Sequence, residues 1–104
     1  MSEAEIFKAL ADPIRRVVFE RLADGQKNAT QLRDGIAISQ PAISQHLAVL
    51  RSAGLIAKQR SGRHVNYRVD PEGLAELDRW LNRYRRFWPE RVEALRQFLK
   101  EMDQ

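Results

Sequence analysis

The sequence predicts a mainly α-helical fold with a small β-hairpin wing: a winged helix-turn-helix followed by a long C-terminal helix. Three observations carry that expectation. Residues 28–53 hold a short helical segment, a tight turn past Gly35 and a second helix beginning at Ser39. Residues 55–69 read as two short strands rich in arginine. From Leu74 to Met102 apolar residues recur at intervals of three and four, the seam that two helices packed side by side require.

Taken in order, Glu3 to Leu10 forms a weakly amphipathic helix with Ile6, Phe7 and Leu10 on one face. Asp12-Pro13 then places a capping carboxylate before a proline whose missing N–H costs nothing in a first turn. Ile14, Val17, Val18 and Leu22 follow at helical spacing, and Gly25 supplies a stop. A third helix starts near Asn28 or Thr30, buries Ala29 and Leu32, and ends around Gly35.

Ser39 is the expected N-cap of the next helix, with Pro41 in its first turn. Ile43, Leu47 and Leu50 fall on its buried face. Pro41, Gln45, Ala48 and Ser52 point the other way, with Ser44 on the flank. Leu55 to Arg60 and Arg63 to Val69 are expected as strands joined by Ser61-Gly62. Tyr67 alternates with Val65 and Val69, so its ring is expected under the hairpin.

Asp70-Pro71 opens the last element. The seam runs through Leu74, Leu77, Leu81, Tyr84, Trp88, Val92, Leu95, Leu99 and Met102, widened by Trp80, Phe87, Ala94 and Phe98. Pro89 interrupts it and predicts a kink or a break into two helices. The remaining core is too small to cover so long an apolar stripe, which points to packing against another chain. The organisation expected is a domain over 1–72, with the helix-turn-helix about 28–53 and the wing about 55–69, and a C-terminal helix over 73–104.

Composition narrows the function. The 104 residues contain no cysteine, which removes disulfides, thiolate nucleophiles and Cys-ligated metals. No apolar run approaches the about 20 residues of a membrane helix and no signal-peptide pattern stands at Met1, so a cytoplasmic protein without membrane contact is expected. The net charge of +4 is unevenly placed. Gly35 to Val69 holds five basic residues (Arg51, Lys58, Arg60, Arg63, Arg68) and no acidic one, against 13 basic and 14 acidic elsewhere. The excess thus lies where double-stranded DNA would be met.

Within that segment Gln45 can present a bidentate amide to adenine, and Ser44 can donate or accept. Ser39, Gln40 and Pro41 begin the helix, where its dipole favours phosphate. His46 could reach either the phosphate backbone or a neighbouring helix. Arg60, Arg63 and His64 flank the hairpin turn, where arginine can follow phosphates or enter a narrow minor groove. Arg15 and Arg16 either reach flanking phosphates or form a solvated face.

Four motifs in order then fix a resemblance. They are Phe7-Lys8-Ala9-Leu10-Ala11-Asp12-Pro13-Ile14-Arg15-Arg16, Ser39-Gln40-Pro41-Ala42-Ile43-Ser44-Gln45-His46-Leu47, Leu50-Arg51-Ser52-Ala53-Gly54-Leu55-Ile56 and Gly62-Arg63-His64-Val65-Asn66-Tyr67-Arg68-Val69. Over residues 3–75 the chain resembles the ArsR/SmtB family of bacterial transcriptional repressors. The resemblance implies a homodimer whose first and last helices form the interface, and an inverted-repeat operator that takes two reading helices. The interface residues it implies are Ile6, Leu77, Trp80, Leu81, Tyr84, Phe87, Trp88, Val92, Leu95 and Leu99.

The chain departs from the metal-sensing members of that family. They use cysteines near the reading helix, or His with Asp/Glu on the last helix. Here Asp70, Glu72, Glu76 and Asp78 offer oxygen alone, and both histidines lie on the DNA side. Neither a metal nor a cofactor is expected, and the tryptophan-rich tail looks like a metal-independent subgroup. Two other readings stay open: a sensor whose Trp80, Phe87 and Trp88 line a pocket for a small apolar effector, and a protein-interaction module that has lost DNA binding. No residue pattern suggests an enzyme.

Overall fold

The computed structural model describes residues 2–87 and 90–102. Helix α1 spans Glu3–Ala11 and α2 spans Pro13–Ala23. A short strand β1 (Lys27–Asn28) leads into α3 (Ala29–Arg33) and α4 (Gln40–Ser52). The hairpin strands are β2 (Ile56–Ser61) and β3 (His64–Val69). Then come α5 (Pro71–Asn82), a 3-10 turn (Arg85–Phe87) and α6 (Glu90–Met102).

Local chemistry sets these boundaries. Asp12 serves two helices: it closes α1, and its carboxylate accepts from the backbone N–H of Ile14 at 2.8 Å and Arg15 at 3.2 Å to open α2. Those N–H groups hold the Asp12 carboxyl below its ordinary value, the Arg15 bond most of all, against some desolvation. Asn28 and Gln31 form a capping box with both bonds at 2.8 Å, which lets a helix of only five residues begin cleanly. Gly35, at φ +76°, turns the chain out of α3. Ser39 accepts from Ala42 N–H at 3.2 Å and starts α4.

The core lies where α1, α2, α3 and α4 converge on the base of the hairpin. Ile6, Val18, Leu22, Leu32, Ile43, Leu47, Leu50, Leu55 and Ile56 are all buried there, with Ala9 and Ala53 filling the close approaches. Each fully buried Leu, Ile or Val contributes about 1.5–3 kcal/mol relative to leaving it in water. Tyr67 packs against this cluster, as the strand alternation predicted.

Four features differ from the expectations. A third strand exists: β1 pairs with β3, placing Lys27 opposite Tyr67, so the sheet order is β1-β3-β2. Two residues between Gly25 and the cap Asn28 are too few to show a period-2 pattern, so the sequence carried no strand signal there. Second, the hairpin turn is Gly62-Arg63 rather than Ser61-Gly62, because Ser61 and His64 pair in the ladder. Gly62 takes φ +62° at the first central position, the pattern of a II′ turn, which pushes Arg63 to the tip. Third, α5 begins at Pro71, so the division expected between 72 and 73 falls inside a helix.

The last difference is where the C-terminal helix breaks. It is two helices, one of the two outcomes expected, but α5 stops at Asn82, upstream of Pro89. Tyr84 N–H bonds to the Leu81 carbonyl at 3.0 Å and Phe87 N–H to that of Tyr84 at 2.9 Å, tightening the ladder into 3-10 turns. A proline at 89 removes the donor for the Arg85 carbonyl and restricts the residue before it, so it does not by itself account for an end at Asn82. Pro89 and Trp88 themselves lie outside the described residues.

Gly73 explains how α5 seats on the body. It is buried, and a Cβ there would stand 2.5 Å from the Gly54 carbonyl oxygen and 3.0 Å from Leu55 Cα. Asp70 N–H also bonds to the Leu55 carbonyl at 2.9 Å. Beyond Trp80 the chain leaves the body: the radius of gyration is 16.3 Å, against about 13 Å for a compact domain of this length. Among the described residues no helix is long and apolar enough to cross a membrane.

Candidate nucleic-acid interface

Helix α4 divides cleanly into two faces. Ile43, Leu47 and Leu50 are buried, while Pro41, Ser44, Gln45, Ala48 and Ser52 are exposed. Ser39 and Gln40 are exposed at its N-terminal end, and His46 is half-buried on the flank. The polar row that the periodicity placed outward is therefore in solvent, held by a face that cannot rotate without opening the core.

Three arginines of the preceding elements fix how α4 is presented. Arg21 of α2 donates from Nη1 to the carbonyls of Leu32 at 3.0 Å and Asp34 at 2.6 Å, closing the end of α3. Arg33 donates from Nε to the Ile38 carbonyl at 3.2 Å and from Nη1 to the Gln40 amide oxygen at 2.9 Å, spanning the turn. Arg15 donates from Nε to the Ala9 carbonyl at 2.7 Å and from Nη2 to that of Lys8 at 3.3 Å. Its Nη1 lies 3.5 Å from His46 Nδ1 and 3.9 Å from the Asp12 carboxylate. Lys27 works the same way, its Nζ donating to the Arg21 carbonyl at 2.9 Å.

These contacts sort the sequence-predicted basic residues. Arg16 is exposed, but Arg15 is half-buried and its guanidinium is spent inside the chain, so it positions α1 and His46. His46 Nδ1 faces Arg15 of the neighbouring helix α2. Arg21 and Arg33 were not singled out in the sequence. An arginine that closes a carbonyl and one that is merely solvated look alike in a sequence, though the positive-φ Gly35 signals a helix end whose carbonyls need partners.

On the wing, Arg60, Arg63 and His64 are all exposed. The register pairs Arg60 with Val65 and Lys58 with Tyr67. Side chains alternate along a strand, so Arg60 and Lys58 emerge on one face of the hairpin and His64 and Arg68 on the other. Arg63 sits at the turn between them. The wing thus presents cations on both sides and at its tip.

The implied interface residues behave differently from one another. Ile6 is fully buried in the core of its own chain and leaves no surface for a partner; its neighbour Phe7 is 41% exposed instead. Leu77 packs partly on the core. Trp80 is half-buried, with its ring 4.8 Å from Phe7 in an edge-on contact and 4.8 Å from Tyr84. Leu81, Tyr84, Phe87, Leu95 and Leu99 are exposed, and so are Phe98 and Met102. Trp88, and the side chain of Val92, lie outside what is described. Trp80 thus packs on α1. A shallow groove of about 320 Å³ lies elsewhere, between α1 and α4, lined by Glu5, Lys8, Ala48, Val49 and Ser52 among others. Among the described residues no group of three or more His, Asp or Glu side chains is placed to hold a metal ion.

Comparison with known proteins decides what this arrangement is. A family model described as a helix-turn-helix domain matches residues 10–59. The chain is 39% identical over 93 residues to the HTH-type transcriptional regulator Rv2034 of Mycobacterium tuberculosis, covering 89% of this chain and 84% of that protein. The chain belongs to the ArsR/SmtB family. The HTH-type transcriptional repressor SmtB of the same organism is 38% identical over 73 residues, 70% of this chain but 54% of that longer protein. Among solved structures, an ArsR-like transcriptional regulator from Rhodococcus sp. RHA1 superposes with a TM-score of 0.71 at 30% identity, covering 91% of this chain and 90% of that one. As an ArsR/SmtB member the protein is a DNA-binding transcriptional regulator with a winged helix-turn-helix, and the family is not one of enzymes.

Proposed function

We propose that this ArsR/SmtB protein is a homodimeric repressor that occludes a promoter by binding an inverted-repeat operator. The observation that carries the reading is the two-sided structure of α4. Its inner face is locked in the core, and its outer face offers Ser39, Gln40, Ser44 and Gln45 to solvent, with no acidic side chain from residue 35 to residue 69. In the major groove Gln45 and Ser44 choose bases. Arg60, Arg63 and His64 of the wing hold phosphate or the minor groove, with Arg16 at the flank.

Two reading helices require two copies, and the C-terminal arm supplies the contact. Leu95, Leu99 and Met102, joined by Phe98, form one stripe on α6, and each is more than half exposed. On α5 and the turn after it, Leu81, Tyr84 and Phe87 continue the apolar surface toward Phe7 on α1. A monomer leaving that surface in water forfeits about 25 cal/mol for each Å² it could bury. A second copy that supplies the same surface buries both at once, the self-complementary arrangement of a two-fold dimer. With no cysteine in the chain, whatever relieves repression does not act through a thiol.

Titration of selected operator DNA and a scrambled duplex with variant proteins tests the division of labour. Gln45→Ala should bring the two affinities together, whereas Arg63→Ala should weaken both and lower the salt slope by about one phosphate contact. Equal loss of discrimination from both substitutions would contradict the assignment.

A further inference from the structure

Helix α4 does not face outward with all of its polar atoms free. Gln40 stands at its first position, exposed, and its amide oxygen is taken by Arg33 Nη1 at 2.9 Å. Arg33 is itself held, through Nε, by the Ile38 carbonyl at 3.2 Å. A guanidinium carries donors and no acceptor, so the amide atom it meets must be the oxygen, and the amide nitrogen turns away. His46 repeats the pattern. Arg15 Nη1 lies 3.5 Å from Nδ1, and Arg15 is anchored on the Ala9 carbonyl at 2.7 Å. By contrast, no hydrogen bond within the described residues constrains the amide of exposed Gln45.

We propose that Arg33 is a positioning residue that turns the Gln40 amide, so that its N–H groups lead toward DNA and Gln40 acts there as a donor. The inference rests on α4 being the reading helix. A free glutamine amide pairs with adenine through both atoms, donating to N7 and accepting from the N6 amino group. With one lone pair of its oxygen taken by Arg33 and that oxygen turned toward the protein, Gln40 is poorly placed for the two-atom pairing and is matched to groups that only accept: a phosphate oxygen, or the N7 and O6 edge of guanine. Gln45 keeps both atoms and with them the adenine option. The two glutamines, five residues apart on one helix, thus read different chemistry because one has an arginine behind it.

Selection from random duplex DNA with wild type, Arg33→Ala and Arg33→Ala/Gln40→Ala tests this directly. In the Arg33→Ala pool, adenine should appear at one position of each half-site where wild type rejects it, and the added Gln40→Ala should abolish it. Guanine at that position in the wild-type pool identifies a base edge as the acceptor, and no preference there identifies phosphate. A purely structural role for Arg33 would lower affinity without changing base choice. An Arg33→Ala profile identical to wild type, or a wild-type pool already rich in Gln40-dependent adenine there, would overturn the proposal. A wild-type pool without any motif would remove the reading of α4 itself, and the proposal with it.

Gln40→Glu gives a second arm that keeps the bond to Arg33 and so does not depend on the turn surviving the loss of the guanidinium. Its outward atom can only accept at neutral pH. It should bind the wild-type duplex about tenfold more weakly or worse, the cost of leaving acceptors facing each other. Binding within twofold of wild type would show that Gln40 does not act as a donor.

Discussion

The helix-turn-helix and the C-terminal arm obey opposite rules. In α1 to α4 most large apolar side chains are inside, Phe7, Val17 and Val49 excepted, and helix ends at Ala11, Arg33 and Ala23 are closed by Arg15, Arg21 and Lys27 from within the chain. In α6 every described side chain at 90 and from 93 to 102 is exposed, although the apolar stripe has the same helical period as that of α4. Two amphipathic segments thus meet different ends, one covered by its own chain and one left in solvent by it, the face that the proposed second copy would cover. Amphipathic pattern says that a face will be covered; the supply of remaining core decides by what.

Truncating one residue from each region should break the comparison most visibly. Leu47→Ala removes a buried side chain from α4 and should cost about 2–5 kcal/mol in urea unfolding. Leu99→Ala, half exposed on α6, should leave the unfolding midpoint of dilute protein nearly unmoved and weaken self-association instead. If Leu99→Ala destabilised dilute protein as much as Leu47→Ala, the arm would belong to the core.

The joint between the two regions is the next place to press. At Gly73 an added methyl meets the Gly54 carbonyl, backbone that has no rotamer to yield. Gly73→Ala should lower stability by about 1–3 kcal/mol, the usual range for overpacking, even though alanine is the better helix former. A thermal melt equal to or above that of wild type would mean that α5 is not seated as described.

The smallest effect concerns the cap shared by α1 and α2. Because the folded Asp12 carboxyl titrates below the ordinary aspartate value of 3.8, its ionised form stabilises the fold above that pH. The contribution is lost as pH falls through the lowered native value. Asp12→Asn keeps a capping oxygen but removes the charge, so its stability gap from wild type should close on acidification through that window. A gap independent of pH between neutral and strongly acid solution would show that the ionised carboxylate is not the cap.

Much of this was legible in residue order. Asp12-Pro13, Ser39 and Asp70-Pro71 marked three helix starts by capping chemistry alone, and Ile43, Leu47 and Leu50 named the buried face of α4. Less legible were features made by distant residues. Nothing local to Arg33 says that it will reach Gln40, and β1 exists only because β3 comes alongside it. Gly73 did leave a trace, since a glycine inside a helix costs about 1 kcal/mol against alanine and implies a close approach. Ile6 shows the converse risk: a residue assigned by resemblance to an interface is buried in its own chain.

Sedimentation equilibrium at micromolar concentration, on wild type and on a Phe98→Glu/Leu99→Glu variant, tests the central contrast most directly. The account predicts a wild type of twice the chain mass and a monomeric variant with unchanged helical circular dichroism. A wild-type chain that stays monomeric, or a variant that still dimerises, would contradict the claim that the arm is completed by a second copy.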